Sequence, residues 1–119
     1  MKCKKGVRGI FINDGRVLLG QRTNKTFHCP NCWEFPGGKT DCQNSKKALI
    51  REVKEETGLR ATKLKKMETR KIGKYTIDYF MGQVDGKIKI QTSELQGIGW
   101  FEPNEVRKLN LSEQTRRLI

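Results

Sequence analysis

A chain of 119 residues with 34% hydrophobic and 32% charged content has room for a single domain, residues 1–119, with a modest core. No apolar run approaches the roughly 18–20 residues that span a bilayer, and no apolar h-region or small-residue cleavage site follows the basic start Met1 to Lys5. A soluble cytoplasmic chain with no membrane partner is expected, and its formal net charge of +12 favours polyanionic partners such as nucleotides, polyphosphate or nucleic acid. The basic residues run from Lys4 and Lys5 to Arg116 and Arg117 without clustering in one tail or helix, so nucleic acid is the less favoured of these.

In chain order, residues 6–13 and 16–21 read as apolar strands around the turn Asn13-Asp14-Gly15. A polar loop, 22–32, leads into the short segment Trp33-Glu34-Phe35, after which Pro36-Gly37-Gly38 is expected to break regular structure. Residues 45–57 read as a helix capped by Asn44 or Ser45 and stopped by Gly58. Strands are expected over 61–71 and 74–84, with Asp85-Gly86 turning into a short strand Lys87–Ile90, and over 97–101. Pro103 opens a helix at its favoured first position, and Leu109–Ile119 contains another helical segment. Strands outnumber helices in a mixed order, which points to an α+β or α/β-sandwich domain.

The four cysteines are Cys3, Cys29, Cys32 and Cys42. Without a secretion signal a disulfide framework is not expected. Cys29 and Cys32 form one C-x-x-C preceded by His28, and all four together could supply a tetrahedral zinc site. A lone C-x-x-C without a second paired spacing favours unliganded thiols over Zn²⁺.

The informative stretch is residues 37–59, GGKTDCQNSKKALIREVKEETGL. At about 100° per residue, Leu49, Ile50, Val53 and Thr57 share a sheet-facing side of the helix, Lys47 and Lys54 face solvent, and Glu52, Glu55 and Glu56 share a third side. Carboxylates placed so closely repel one another by a few tenths of a kcal/mol per pair, roughly what an opposite pair contributes. A basic chain that concentrates acids in one place needs a counter-charge: either Mg²⁺, which favours carboxylate oxygens and substrate phosphates, or a lacework of surface salt bridges.

The segment resembles the Nudix box, G-x5-E-x7-R-E-U-x-E-E-x-G-U with U a bulky aliphatic residue. Gly37, Arg51, Glu52, Val53, Glu55, Glu56, Gly58 and Leu59 fall in register, preceded by Trp33-Glu34-Phe35-Pro36. Gln43 stands where the motif has its first Glu, and the family's Gly-Glu pair in the preceding turn has no counterpart, Asp41 lying nearby. Downstream, Ser93 to Phe101 resembles the family's loop with a remote Glu six residues before a Trp, which Glu94 and Trp100 match. The chain is thus similar to Nudix hydrolases, MutT-like nucleotide pyrophosphohydrolases among them. The resemblance implies an α/β/α sandwich with a mixed sheet flanked by helices and a loop–helix–loop at 37–59.

It also implies hydrolysis of a nucleoside diphosphate linked to another group, with Mg²⁺ or Mn²⁺ held by Glu52, Glu55, Glu56, Glu94 and a backbone carbonyl of Gly37 or Gly38. The general base is Glu55 or Glu94, and Arg51 orients the carboxylates. Arg22 and Lys39 are candidate phosphate contacts, and Trp33 and Phe35 candidate base-stacking residues, with a plain surface role for the first two and a core role for the aromatics as the alternatives. The implied reaction converts a (deoxy)nucleoside triphosphate, oxidised purine nucleotides included, to monophosphate and pyrophosphate. RNA-directed decapping, dinucleoside polyphosphate hydrolysis and a non-catalytic nucleotide-binding module are the rival readings. Relatives are monomers or homodimers.

Overall fold

The computed structural model describes residues 3–25, 29–90 and 94–119; His28 and Ser93, singled out above, lie outside them. The elements are β1 (Lys5–Asn13), β2 (Arg16–Arg22), β3 (Trp33–Glu34), β4 (Gly37–Lys39), α1 (Ser45–Thr57), β5 (Arg60–Ile72), β6 (Tyr75–Asp85), β7 (Leu95–Phe101), α2 (Pro103–Val106) and α3 (Glu113–Arg116). Asp14 and Gly15 both have positive φ, 52° and 74°, the twist a two-residue hairpin turn needs between β1 and β2. The sheet runs β3-β2-β1-β6-β5, with β4 added to β1 and β7 to β2. β1 and β6 are parallel and the other pairs antiparallel, so the sheet is mixed as expected.

Adjacent strand residues face opposite sides, and β2 shows this directly: Leu18 joins one apolar cluster and Leu19 another. The first cluster buries Ala48, Leu49 and Val53 of α1 against Val7, Phe11 and Phe80. The second gathers Leu19, Phe35, Val106 and Leu111 beneath α2 and the carboxyl-terminal segment. Helices therefore cover both faces, the sandwich that the sequence pattern implies.

Several expectations are corrected. Gly37 and Gly38 do not break regular structure but form β4, pairing with Arg8 and Val7. Gly37 has φ +152°, and a Cβ there would lie 2.0 Å from the Val7 carbonyl oxygen, so only glycine lets the two backbones approach this closely. Lys87–Ile90 is not a strand; the Lys89 amide instead donates to the Thr57 carbonyl at the end of α1. The helical segment expected within Leu109–Ile119 is present as α3, after Leu111 bridges to Trp33 and with the Ser112 side chain accepting from the Thr115 amide. Ile50 is 39% exposed and does not share the packed face, which Ala48 takes with Leu49 and Val53.

The cysteines form two disulfides, Cys3–Cys42 and Cys29–Cys32, with Cα–Cα separations of 5.4 and 5.5 Å. Both the unpaired thiols and the four-cysteine zinc site are thereby corrected. Antiparallel pairing of β1 with β4 brings the segment before one strand to the turn after the other, so Cys3 meets Cys42 and not the C-x-x-C.

Asp78 of β6 ties the layers together. Its carboxylate, 2% exposed, accepts from Ser45 at the start of α1 (2.7 Å) and Thr69 of β5 (2.6 Å), and pairs with Lys5 (3.0 Å) and Lys66 (3.4 Å). Burial pushes this carboxyl up, but the hydrogen bonds from Thr69, Ser45 and Lys5 and the Lys5 charge outweigh it and hold the pKa at about 2. A carboxyl below its unfolded value of 3.8 contributes stability that is present above that pH and lost as the pH falls towards 2. Asp78→Ala should therefore cost about 3–5 kcal/mol at neutral pH in denaturant unfolding, as breaking a buried pair does. It should also remove about 2 kcal/mol of the acid-limb pH dependence between pH 4 and 2.

Candidate active site

The segment 37–59 presents its acids through a well-defined helix. The Asn44 side chain accepts from the Lys46 and Lys47 amides at 3.0 and 3.3 Å, starting α1. Gly58, with φ 77°, stops it in the left-handed conformation with its amide on the Lys54 carbonyl. Along the acidic side the burial is graded: Glu55 is exposed, Glu52 half-buried and Glu56 6% exposed.

The two glycines of β4 sit against these acids. The Gly37 amide donates to Glu56 Oε1 at 3.0 Å. A Cβ on Gly38 would lie 2.9 Å from the Glu52 carboxylate, so the absent side chain is what admits that group. Burial raises the Glu52 pKa, opposed by Arg51, while the charges of Glu55 and Glu94 push the same way as burial. Glu94 is carried on the segment leading into β7, and its charge is the smallest of these influences on Glu52. Its backbone is fixed by the Thr23 amide donating to the Glu94 carbonyl at 2.9 Å.

Arg51 stands at the centre of the acids. Its Nε donates to Gln43 Oε1 (2.9 Å), Nη1 to Glu52 (3.0 Å) and Glu55 (3.5 Å), and Nη2 to the Lys39 carbonyl (3.3 Å), with Asp41 at 3.7 Å. Gln43, in the place of the motif's glutamate, keeps a hydrogen bond to this guanidinium and lacks the charge. Among the described residues no three acidic, His or Cys side chains already converge as a closed metal cage. The donor set nevertheless suits a hard divalent cation: Glu52 and Glu55 offer carboxylate oxygens, and the missing side chain of Gly38 lets the first of these lie against β4.

A second charged chain lies behind. Glu34 of β3 accepts from Arg22 Nη1 at 3.2 Å and pairs with Arg8 Nη2 at 3.4 Å. Arg8, almost fully buried, also donates to Gln114 Oε1 (2.8 Å) and the Phe35 carbonyl (3.0 Å). Arg22 Nε is buried with no hydrogen-bond partner among the described residues. Arg8 and Glu34 were missed from sequence; the available signal was an arginine inside the otherwise apolar run Val7–Ile12.

Of the other expected site residues, Lys39 lies with its ammonium 5.9 Å from the centre of the Tyr75 ring. Phe35 is 3% exposed within the second core cluster, and Trp33 packs edge-on against Phe101 at 4.9 Å in the same cluster. Phe35 thus takes the core role and has no open face for a base, whereas Trp33 is only partly buried.

The family model described as NUDIX domain matches residues 4–119. The chain is 30% identical to the CTP pyrophosphohydrolase of Escherichia coli (strain K12), over 94% of this chain and 85% of that protein. It is 41% identical to the 8-oxo-dGTP diphosphatase of Proteus vulgaris, over 50% of this chain and 54% of that protein. The MutT NUDIX hydrolase of Burkholderia pseudomallei superposes with a TM-score of 0.86 at 23% identity, covering 98% of this chain and 95% of that one. Fold and site together define a hydrolase domain with its acids on a loop–helix–loop. The chain belongs to the Nudix hydrolase family.

Burial pushes the Glu56 carboxyl up to about 8, against the Arg8 charge and the Gly37 hydrogen bond. A carboxyl raised above its unfolded value of 4.5 stabilises the fold in its protonated form, so this contribution is present at low pH and lost as the pH rises towards 8. In EDTA, urea unfolding of the protein should lose stability from pH 5 to pH 8, by roughly 5 kcal/mol at most from this group. Glu56→Gln should flatten that limb, and an unchanged slope in the variant would assign the pH dependence elsewhere.

Proposed function

We propose that this chain is a divalent-metal-dependent pyrophosphohydrolase of a cytoplasmic nucleotide pool. It would cleave (deoxy)nucleoside triphosphates, oxidised purine nucleotides included, to the monophosphate and pyrophosphate. The observation that carries this reading is the pairing of Glu52 and Glu55 with one guanidinium on the acidic side of α1, beside a glycine whose missing side chain admits the Glu52 carboxylate. The near-full-length relationship to a CTP pyrophosphohydrolase supports a triphosphate substrate, and the half-length match to an 8-oxo-dGTP diphosphatase is consistent with it.

Glu52, Glu55, Glu56 and Glu94, with a carbonyl of Gly37 or Gly38, would hold the Mg²⁺ or Mn²⁺. When bound, such a cation neutralises polyphosphate charge and acidifies water. The chain's own residues supply the rest. Arg51 keeps Glu52 and Glu55 in fixed relative positions, and positioning accounts for much of the catalysis in substitution at phosphorus. Glu55 or Glu94 takes the proton as water adds to phosphorus, and the anhydride P–O bond breaks with its electron pair leaving on the departing phosphate. Arg22, anchored by Glu34 through Nη1, would meet a phosphate oxygen with its outer guanidinium N–H groups, and Lys39 is the second cation for that role. Trp33 and Phe35 would shape the wall behind the substrate from within the core.

The +12 charge favours RNA-directed hydrolysis as the second reading. It requires activity that falls steeply with added salt, whereas hydrolysis of free nucleotides should not.

Incubation with unmodified and oxidised dNTPs, CTP, ADP-ribose, dinucleoside polyphosphates and capped RNA, in Mg²⁺, Mn²⁺ or EDTA, with chromatographic separation of the nucleotide products and pyrophosphate read through added inorganic pyrophosphatase, tests the proposal. Metal-dependent pyrophosphate release from a triphosphate is expected; silence with every substrate would exclude the hydrolase reading. Glu55→Gln should lower kcat by about 10²-fold or more while leaving thermal unfolding intact. Gln43→Glu, which gives Arg51 a charged acceptor, should raise kcat or lower the metal concentration needed for half-maximal activity; a lower kcat together with a higher metal requirement would show that Gln43 is not a weakened form of the motif's acid.

A further inference from the structure

The turn that joins β4 to α1 holds two of the five partners of Arg51, and its tip is closed by a disulfide. Thr40 anchors the base: its amide donates to the Lys5 carbonyl at 3.0 Å, and its carbonyl accepts from the Gln43 amide at 2.9 Å. Beyond it, Asp41 and Cys42 lie consecutively in the left-handed region, φ 51° and 68°, where residues with a Cβ are disfavoured. Asp41 and Gln43, on either side of Cys42, reach Arg51 at 3.7 and 2.9 Å. Cys42 is bonded to Cys3, in the segment just before β1, and both residues are exposed.

We infer that Cys3 and Cys42 are a reversible oxidative modification site that sets the position of Arg51, and through it the acidic site. Oxidation forms one S–S bond from two thiols. Their two protons and two electrons pass to a low-molecular-weight disulfide, which is released as two thiols after a mixed-disulfide exchange. In the disulfide form the left-handed turn is pinned, and Asp41 and Gln43 grip the guanidinium that holds Glu52 and Glu55. In the dithiol form the tip is held only by non-covalent contacts, and this grip loosens. Exposure of both cysteines gives the exchanging disulfide access. The turn acts on the acids through Arg51, so Cys3 and Cys42 are positioning residues.

The consequence for cation binding rests on the proposed function, whereas the thiol chemistry and the turn's mobility do not. The test uses the full chain carrying Cys29→Ser and Cys32→Ser, equilibrated across ratios of reduced to oxidised glutathione. Alkylation with mass detection counts thiols, amide hydrogen exchange reports on residues 40–43, and Mn²⁺ titration reports on the site. A single two-electron transition is expected, with faster exchange at the Gln43 amide and about tenfold weaker Mn²⁺ binding in the dithiol form, the size expected when groups supporting metal ligands are lost. Cys42→Ser should match the dithiol form at every ratio. Two thiols that stay alkylatable throughout would overturn the inference, and so would a disulfide that forms without changing either exchange or Mn²⁺ affinity. A reversible disulfide with altered exchange, but no Mn²⁺ binding in either form, would keep the modification site and overturn the metal-dependent function.

Discussion

Like charges crowded onto one helix side must be compensated, and the site is organised around how that is done. Glu52, Glu55 and Glu56 occupy the same side of α1, and the charge of Glu94 adds to the repulsion felt at Glu52. In a chain with a net charge of +12 this is a local inversion of sign. One guanidinium, Arg51, answers the outer acids and ties them to Gln43, Asp41 and the Lys39 carbonyl. The innermost acid is treated differently: Glu56 is buried, its pKa pushed up, and it receives a backbone amide from Gly37. Such an arrangement keeps oxygen donors close together without letting the helix fray, which is what a site for cations and polyphosphate requires.

The rest of the fold serves that geometry. β4 can lie between β1 and α1 only because Gly37 and Gly38 lack side chains, and this sets both glycines against the acids. Behind the site, buried Glu34 joins Arg8 to Arg22, so the cation proposed to meet phosphate is held from the interior. Asp78 performs a purely structural counterpart of this, fastening the start of α1 to β5 and β6. Buried charges of this kind survive because each is paired and hydrogen-bonded, and removing one partner costs more than the pair contributes.

Much of this was legible in the sequence where a local rule decides the outcome. Asn44 and Gly58 bound α1 at the expected residues, and Asn13-Asp14-Gly15 fixed the first hairpin. The motif register located Arg51 and the two acids it pairs with, Glu52 and Glu55. What was not legible depends on tertiary contact. Pro36-Gly37-Gly38 reads as a breaker until β1 supplies a ladder, and Lys87–Ile90 reads as a strand although no neighbour pairs with it among the described residues. Ile50 sits next to the apolar side of α1 but outside what the sheet covers. Cysteine pairing needs β1 and β4 side by side, and the burial of Arg8 needs Gln114, far along the chain.

Membership of the Nudix family accounts for the fold and the acidic helix, while the account as a whole turns on a cation being what those acids are arranged to receive. Thermal unfolding at pH 8 with increasing Mn²⁺ addresses this without any choice of substrate. A saturable rise in Tm is expected for the protein, since a ligand that binds the folded state stabilises it by mass action, and that rise should be lost in Glu52→Gln. An unchanged Tm at saturating Mn²⁺, or an equal rise in Glu52→Gln, would contradict it and leave Arg51, not a metal, as the whole compensation for the acids.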